Sequence, residues 1–323
     1  MAKTAVLLMA YGTPSSLDEI EPYYIDIRGG RKPTPELLHE LTERYKLIGK
    51  PPLLEITREQ ASALQAELGD DYRVYIGMKH WHPYIAETVE QIARDVSQFS
   101  RMIGIALAPH YSRFSIDGYI QRVREAMTKS NLTLDVTFVE SWNDHPLFLR
   151  SIAERMLAAR DAMGAKDWQG IDVVFSAHSL PEKILQSGDP YPQELRETCE
   201  GVAPLVGLSR DAWRFAYQSA GRTGEKWLGP ELLATLDEIA ARRGSPSGYP
   251  GATARVAPTN RVLIAPIGFV ADHLEVLYDI DIQAMEHASK LGMELCRIES
   301  PNATPTFIAA LAEIVREKIK TQA

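Results

Sequence analysis

The chain has little of what marks a secreted, membrane-spanning or nucleic-acid-binding protein. Its 323 residues include two cysteines, Cys199 and Cys296, far apart in sequence. A disulfide framework is not expected from them, and a four-cysteine zinc or iron–sulfur site is excluded by count. No apolar run is long enough to cross a bilayer. The opening run Met1–Ala10 also lacks the h-region and cleavage site of a signal peptide, and reads as a buried first strand. Basic charge is scarce as well: 35 Lys and Arg face 43 Asp and Glu, a net charge of −8. That argues against a nucleic-acid partner, which needs a basic footprint. No G-x-G-x-x-G follows the first strand, and neither a P-loop nor a G-x-S-x-G elbow occurs. The expectation is a cytoplasmic protein with no integral membrane association.

What is present is a large apolar complement, 45% of residues, enough for one or two α/β domains. Short β-rich runs alternate with helical patterns, the rhythm of a parallel α/β architecture. In the first half the expected strands are Thr4–Met9, Tyr72–Met78, Met102–Ala108 and Leu134–Glu140, with helices over Pro35–Leu47, Arg58–Leu68 and Tyr84–Ser97. In the second half the strands are Asp172–Ala177, Arg214–Gln218, Val262–Pro266 and Glu294–Ile298. The helices there are Leu147–Met163, Pro192–Val206, Pro230–Arg242, Asp272–Leu291 and Pro305–Lys320. Four strands in each half predict two similar domains, 1–145 and 146–323, each with a mainly four-stranded parallel sheet flanked by helices. The turn-forming cluster Asn143–Pro146 sets the boundary, and the last helix is a candidate to pack back on the first domain. Arg243–Thr259, rich in Gly, Pro and Ser without apolar period, reads as a surface loop.

Chemistry-bearing residues collect where strands end, the edge at which open α/β sheets bind ligands. One apolar strand runs into His178-Ser179-Leu180-Pro181. An imidazole there suits first-row metals and accepts protons near neutral pH, although strand-end histidines are as often bonded to backbone. Another strand runs into Gly268-Phe269-Val270-Ala271-Asp272-His273-Leu274-Glu275, and Asp279 follows. At spacing i, i+3, i+7 on a helix, Asp272, Glu275 and Asp279 share a face, and such a row suits a path for cations or protons. The first strand runs into Tyr11-Gly12-Thr13-Pro14, where a phenol, a known haem-iron ligand, ends the strand. Arg28, Arg31, Lys32, Arg44, Lys46 and Lys50 form a basic cluster whose arginine forks suit carboxylates.

Taken together, these segments resemble the ferrochelatase family. The resemblance is carried by Met9–Pro14, Tyr23–Pro33, Leu107–Tyr119, Glu140–Trp142, Ser176–Lys183, Gly188–Pro192, Gln218-Ser219, Trp227–Pro230 and Pro266–Asp279, in order over nearly the whole chain. Met9-Ala10-Tyr11-Gly12-Thr13-Pro14 is similar to the coproporphyrin III branch. The resemblance implies two Rossmann-like domains of chelatase type with a porphyrin cleft between them. It implies that His178 and Glu275 hold ferrous iron and assist loss of the pyrrole protons, and that Tyr11 is the axial ligand of product iron. Arg28, Arg44, Tyr45 and Tyr119 are implied to bind propionates or line the cleft, with Asp279 and Asp272 on a secondary acidic path and His80 farther out. Coproporphyrin III and Fe²⁺ are then the substrates and coproheme the product. No tightly bound cofactor is expected beyond an optional accessory divalent cation, and a monomer is expected. Two departures stand out: Lys50-Pro51-Pro52-Leu53 lacks a serine common in the family, and Gln283 stands where the acidic row commonly continues. The alternatives are a protoporphyrin IX ferrochelatase, a chelatase for cobalt or nickel, a porphyrin or haem carrier, and a small-anion-binding protein.

Overall fold

A computed structural model describes residues 3–221, 224–244 and 261–320. The first half runs β1 (Lys3–Ala10), α1 (Ile20–Ile27), α2 (Pro35–Ile48), α3 (Leu53–Leu68), β2 (Tyr72–Met78), α4 (Ile85–Arg94), β3 (Phe99–Ala106), α5 (Ile116–Lys129), β4 (Asp135–Val139) and α6 (Pro146–Ala162). The second runs β5 (Ile171–His178), α7 (Tyr191–Leu205), β6 (Trp213–Gln218), α8 (Leu232–Gly244), β7 (Arg261–Pro266), a π-helix (Val276–Ala284), α9 (Met285–Lys290), β8 (Glu294–Arg297) and α10 (Pro305–Lys320). Two four-stranded sheets result, ordered β2-β1-β3-β4 and β6-β5-β7-β8, with every pairing parallel. All eight expected strands are present, displaced by at most three residues.

The central strands show why. Residues Ala5–Leu8 of β1 and Val174, Phe175 and Ala177 of β5 are fully buried. A strand covered on both faces must be apolar along its length, which is the continuous pattern read in the sequence. α1 and α5 were not expected. Ile116, Tyr119, Ile120 and Val123 bury one helical face of α5 in the core beside Val89, Ile92 and Met102. The Gly/Pro/Ser-rich stretch Arg243–Thr259 lies outside the described residues, except for its first two positions, which end α8.

Two compact units form. One comprises Met1–Ser151, Phe269–Leu274 and Pro301–Ala323; the other comprises Ile152–Gly268 and Glu275–Ser300. The short segment Phe269–Leu274 is fixed within the first unit by side chains. The Gln60 amide donates to the carbonyls of Val270 (3.2 Å) and Asn302 (2.9 Å). The Asn302 side chain accepts from the Asp272 amide (3.0 Å) and donates to the Asp272 carboxylate (2.9 Å). α10 packs on α3 and β4 within the same unit.

These bonds correct the expectation of one α-helix over Asp272–Leu291. Helical structure begins at Leu274, is of π type over Val276–Ala284, and becomes α only at Met285. Asp272 precedes the helix, so it does not share a helical face with Glu275 and Asp279. Its carboxylate is committed to Asn302 instead. Asp281 in the π-helix accepts two bonds from Arg297 of β8, at 2.6 and 2.8 Å, a fork-to-carboxylate pair that ties the wide helix to the sheet edge.

The turn after β1 is set by Gly12, whose φ is +100° and whose carbonyl accepts from the Tyr23 hydroxyl at 3.1 Å. A Cβ there would lie 2.9 Å from the Trp81 backbone nitrogen. Gly12→Ala is expected to lower stability by about 1–3 kcal/mol, since both the backbone conformation and the close approach disfavour a side chain. Urea unfolding followed by circular dichroism checks it.

Candidate active site

His178 is the last residue of β5, and its backbone is held by several bonds. The Tyr191 hydroxyl donates to the His178 carbonyl at 2.9 Å. The Ser179 amide donates to the Gln218 carbonyl at 2.7 Å, and the Ser179 hydroxyl to the Leu228 carbonyl at 2.8 Å. Beneath them the buried Ser176 hydroxyl donates to the Gln218 side-chain oxygen at 2.7 Å. The imidazole Nδ1–H donates to the Ser179 carbonyl. Nε2 is thereby left to face Glu275, whose Oε1 lies 3.3 Å away in the first turn of the helix after β7. Fixing one ring nitrogen on a backbone carbonyl sets what the other presents.

The electrostatics of this pair are one-sided. Burial disfavours a charged His178, but the Glu275 carboxylate, the bond to Ser179 and the charge of Asp279 outweigh it, and the imidazole is pushed up to about 9. At neutral pH the two residues are therefore an imidazolium–carboxylate pair. Asp279 lies four residues beyond Glu275, close to one full turn where backbone bonds run i→i+5. It is buried and accepts from the hydroxyl of Ser219, a residue held at φ +59° at the end of β6. The Trp227 ring stands 6.4 Å from the His178 ring, centroid to centroid. Among the described residues no cluster of three or more His, Cys, Asp or Glu side chains could enclose a metal ion. His178 and Glu275 thus offer an open N/O pair, suited to a metal in transit rather than to a closed structural site.

The other sequence-derived residues belong to the first unit. Tyr11 follows β1 and is 42% exposed, its ring 4.6 Å from that of His80. The His80 Nδ1–H donates to Asp26 at 2.7 Å, and Arg122 donates to the same carboxylate oxygen at 3.2 Å. Burial keeps His80 neutral: desolvation pushes it well down, and the charges of Lys79 and Arg122 act the same way against Asp26. Tyr119 is buried, with the Lys79 ammonium 4.8 Å from its ring centroid. Burial, with Arg122 adding to it, pushes Lys79 down to about 8.

Arg28 ends α1, its guanidinium 5.6 Å from the Tyr24 ring centroid, and its buried Nε has no hydrogen-bond partner among the described residues. Arg44 pairs with Glu40 at 2.7 Å. Tyr45 is buried with its hydroxyl 3.4 Å from that of Thr13. Tyr45 also lines a cavity of about 300 Å³ with Pro14, Ser15, Ser16, Leu17, Lys46, Gly49, Lys50 and Pro51. Lys50 and Pro51 stand where the family serine was missed, and Ser15 and Ser16 line the same cavity. Gln283 is an exposed residue of the π-helix.

Residues 3–319 match the family profile described as Ferrochelatase. A protein of Herpetosiphon aurantiacus named ferrochelatase is 46% identical over 97% of this chain and 98% of its own length. One of Halalkalibacterium halodurans named coproporphyrin III ferrochelatase is 41% identical over 98% of this chain and 97% of its own. Among solved structures, the sirohydrochlorin chelatase SirB from Bacillus subtilis subspecies spizizenii in complex with cobalt superposes with a TM-score of 0.55. It is 10% identical and covers 98% of this chain and 96% of that one. The terminal enzyme of sirohaem biosynthesis CbiX gives 0.53 at 12% identity, with 97% and 98% covered. At such identities these two structures speak for a shared chelatase fold alone.

Replacing Glu275 by Gln removes the charge that holds the His178 proton, so burial then prevails. In a histidine titration by proton NMR, His178 is expected to fall from about 9 to below its ordinary 6.5. Because the folded value lies above the unfolded one, the pair's contribution to stability is complete below pH 6.5. It is lost as the pH rises through about 9. The stability gap between wild type and Glu275→Gln should close over that window.

Proposed function

The chain belongs to the ferrochelatase family and is a metal chelatase of haem biosynthesis, and we propose that it inserts ferrous iron into coproporphyrin III, giving coproheme and two protons. The observation that carries the reading is the His178–Glu275 pair: an open imidazole–carboxylate site that holds one proton at rest and has a buried carboxylate, Asp279, behind it. The coproporphyrin branch draws support from the Halalkalibacterium halodurans relative and from others of that name at 40–41% identity. The chemistry of the first unit agrees with it. Arg28, Arg44, Lys46 and Lys50 form a basic region in an acidic protein, matched to a ring with four carboxylates better than to protoporphyrin IX with two.

The proton balance follows from the pair. Iron approaching His178 and Glu275 competes with the shared proton, which leaves as the metal binds. When the metal passes to the ring nitrogens, two pyrrole protons are released. One restores the imidazolium of His178, and the other leaves by Glu275 and the Asp279–Ser219 contact. Tyr11 is the oxygen ligand proposed for product iron, and Arg28, Arg44, Tyr45 and Tyr119 are the residues proposed to hold or border the propionates. Asp272, fastened to Asn302, serves the fold of its segment and is a weaker candidate for the acidic path. Iron enters as substrate, with no resident cofactor in the scheme, and the expected setting is the cytoplasm; among the described residues no helix is long and apolar enough to cross a membrane.

A porphyrin or haem carrier is the second reading, since it would use the same propionate-binding groups. The buried Asp279 behind the His178–Glu275 pair speaks against it, because a carrier has no protons to move. Two measurements test the proposal. Anaerobic Fe²⁺ insertion, followed by porphyrin absorbance, is expected to be fast with coproporphyrin III and slow with protoporphyrin IX. His178→Ala is expected to lower kcat by at least about a hundredfold in a folded protein, the scale of a lost acid–base group; full retention of rate would sink the mechanism. In the absence of porphyrin, divalent metal binding at pH 7.5 should release close to one proton, read with a pH indicator, and His178→Ala should abolish that release.

A further inference from the structure

Lys79 and His80 follow β2 at the same sheet edge as Tyr11. Their amides donate to the carbonyls of Ala10 (2.8 Å) and Tyr11 (2.9 Å). Two cations, Lys79 and Arg122, lie in this small cluster, and its carboxylate, Asp26, is already shared by His80 and Arg122 at 2.7 and 3.2 Å. The Lys79 ammonium is bonded to the Ser115 carbonyl at 3.3 Å and rests on the Tyr119 ring, and no carboxylate lies within ion-pair distance of it among the described residues. A half-buried ammonium next to a second cation is unfavourable unless something compensates it.

The fold makes room for this group. Gly118 sits inside α5, where glycine weakens a helix. A Cβ at Gly118 would come within 2.5 Å of the Lys79 Nζ. The ammonium lies against this glycine and has spare donors: one N–H is taken by Ser115, and the ring of Tyr119 covers another side. A surplus positive charge with free donors, at the ligand-binding edge of a parallel sheet, is built to receive an anion.

We propose that the Lys79 ammonium is a carboxylate contact of the tetrapyrrole site, pairing with one of the acidic side chains of the porphyrin; this rests on the porphyrin reading above. The contact favours rings with more carboxylates. It was not legible in the sequence, where Lys79 is an ordinary residue after a strand.

The experiment is equilibrium binding of metal-free coproporphyrin III to the full chain, read by fluorescence, together with steady-state insertion. The variants are Lys79→Met, which keeps the length and removes the charge, and Gly118→Ala, which keeps the charge and pushes it aside. Both are expected to bind coproporphyrin III about tenfold more weakly, the scale of one charge-assisted hydrogen bond. KM should rise with kcat nearly unchanged. The wild-type advantage over Lys79→Met should narrow as salt is raised, because an ion pair is screened and a packing effect is not. Gly118→Ala should melt no lower than wild type, so it stays informative if Lys79→Met folds poorly. Unchanged affinity in both variants, or a loss insensitive to salt, overturns the contact while leaving the ferrochelatase reading intact. A wild-type protein that binds no porphyrin overturns both.

Discussion

A strand buried on both faces has no place for polar side chains along its length, and this single constraint organises the molecule. β1 and β5 lie inside their sheets, each paired with a strand on both sides, and most of their side chains are in an apolar core. Polar chemistry can begin only where pairing stops. It begins at once in both: Tyr11 and Gly12 after β1, His178 and Ser179 at the end of β5. The adjoining strand ends supply the supports, Lys79 and His80 after β2, Gln218 and Ser219 at β6. Side chains at such points inherit the rigidity of the sheet, and that rigidity keeps a two-residue donor set in place without a metal to organise it.

Rigidity alone would leave an inert histidine. What makes His178 chemically useful is the balance around it: burial pulls toward the neutral ring, while Glu275 and Asp279 pull toward the charged one and prevail. His80 shows the opposite outcome with the same residue type. There Lys79 and Arg122 add to burial, and the ring stays neutral although Asp26 is 2.7 Å away. Two imidazoles at the edges of two similar sheets are thus prepared in opposite charge states by the sign of their neighbours. The histidine with carboxylates about it holds the extra proton, and the one beside the exposed Tyr11 phenol carries no positive charge to repel a cation.

The architecture was largely legible in the sequence, because unbroken apolar runs such as Val262–Pro266 have one physical explanation in an alternating α/β chain. His178 drew notice because it terminates such a run, and Glu275 because it follows another in an acidic stretch. Other features were hidden for stated reasons. A π-helix differs from an α-helix by the partner of each amide, not by residue type, so Asp272–Leu291 reads as one ordinary helix. The i, i+3, i+7 row failed at Asp272 because Asn302, thirty residues on, takes that carboxylate. Tyr191, Ser219 and Lys79 act through hydrogen bonds and burial that no local pattern encodes. The serine missing near Pro51 looked like a deficit, and Ser15 and Ser16, from a different stretch of chain, line one cavity with Lys50 and Pro51.

The first unit takes α3 from near the start of the chain and α10 from near its end, with Phe269–Leu274 between them in sequence. Phe307, Leu311, Ile314 and Val315 of α10 are buried, and Gln60 of α3 holds Val270 and Asn302. A ribosome that has made the first 151 residues has therefore produced a unit that still lacks α10, part of its covering. The second unit, whose residues lie between these pieces, is synthesised while that apolar surface waits. Assembly of the earlier-made unit finishes last, so the order of synthesis and the order of completion are reversed, and the nascent first unit is the part of this chain most in need of a chaperone.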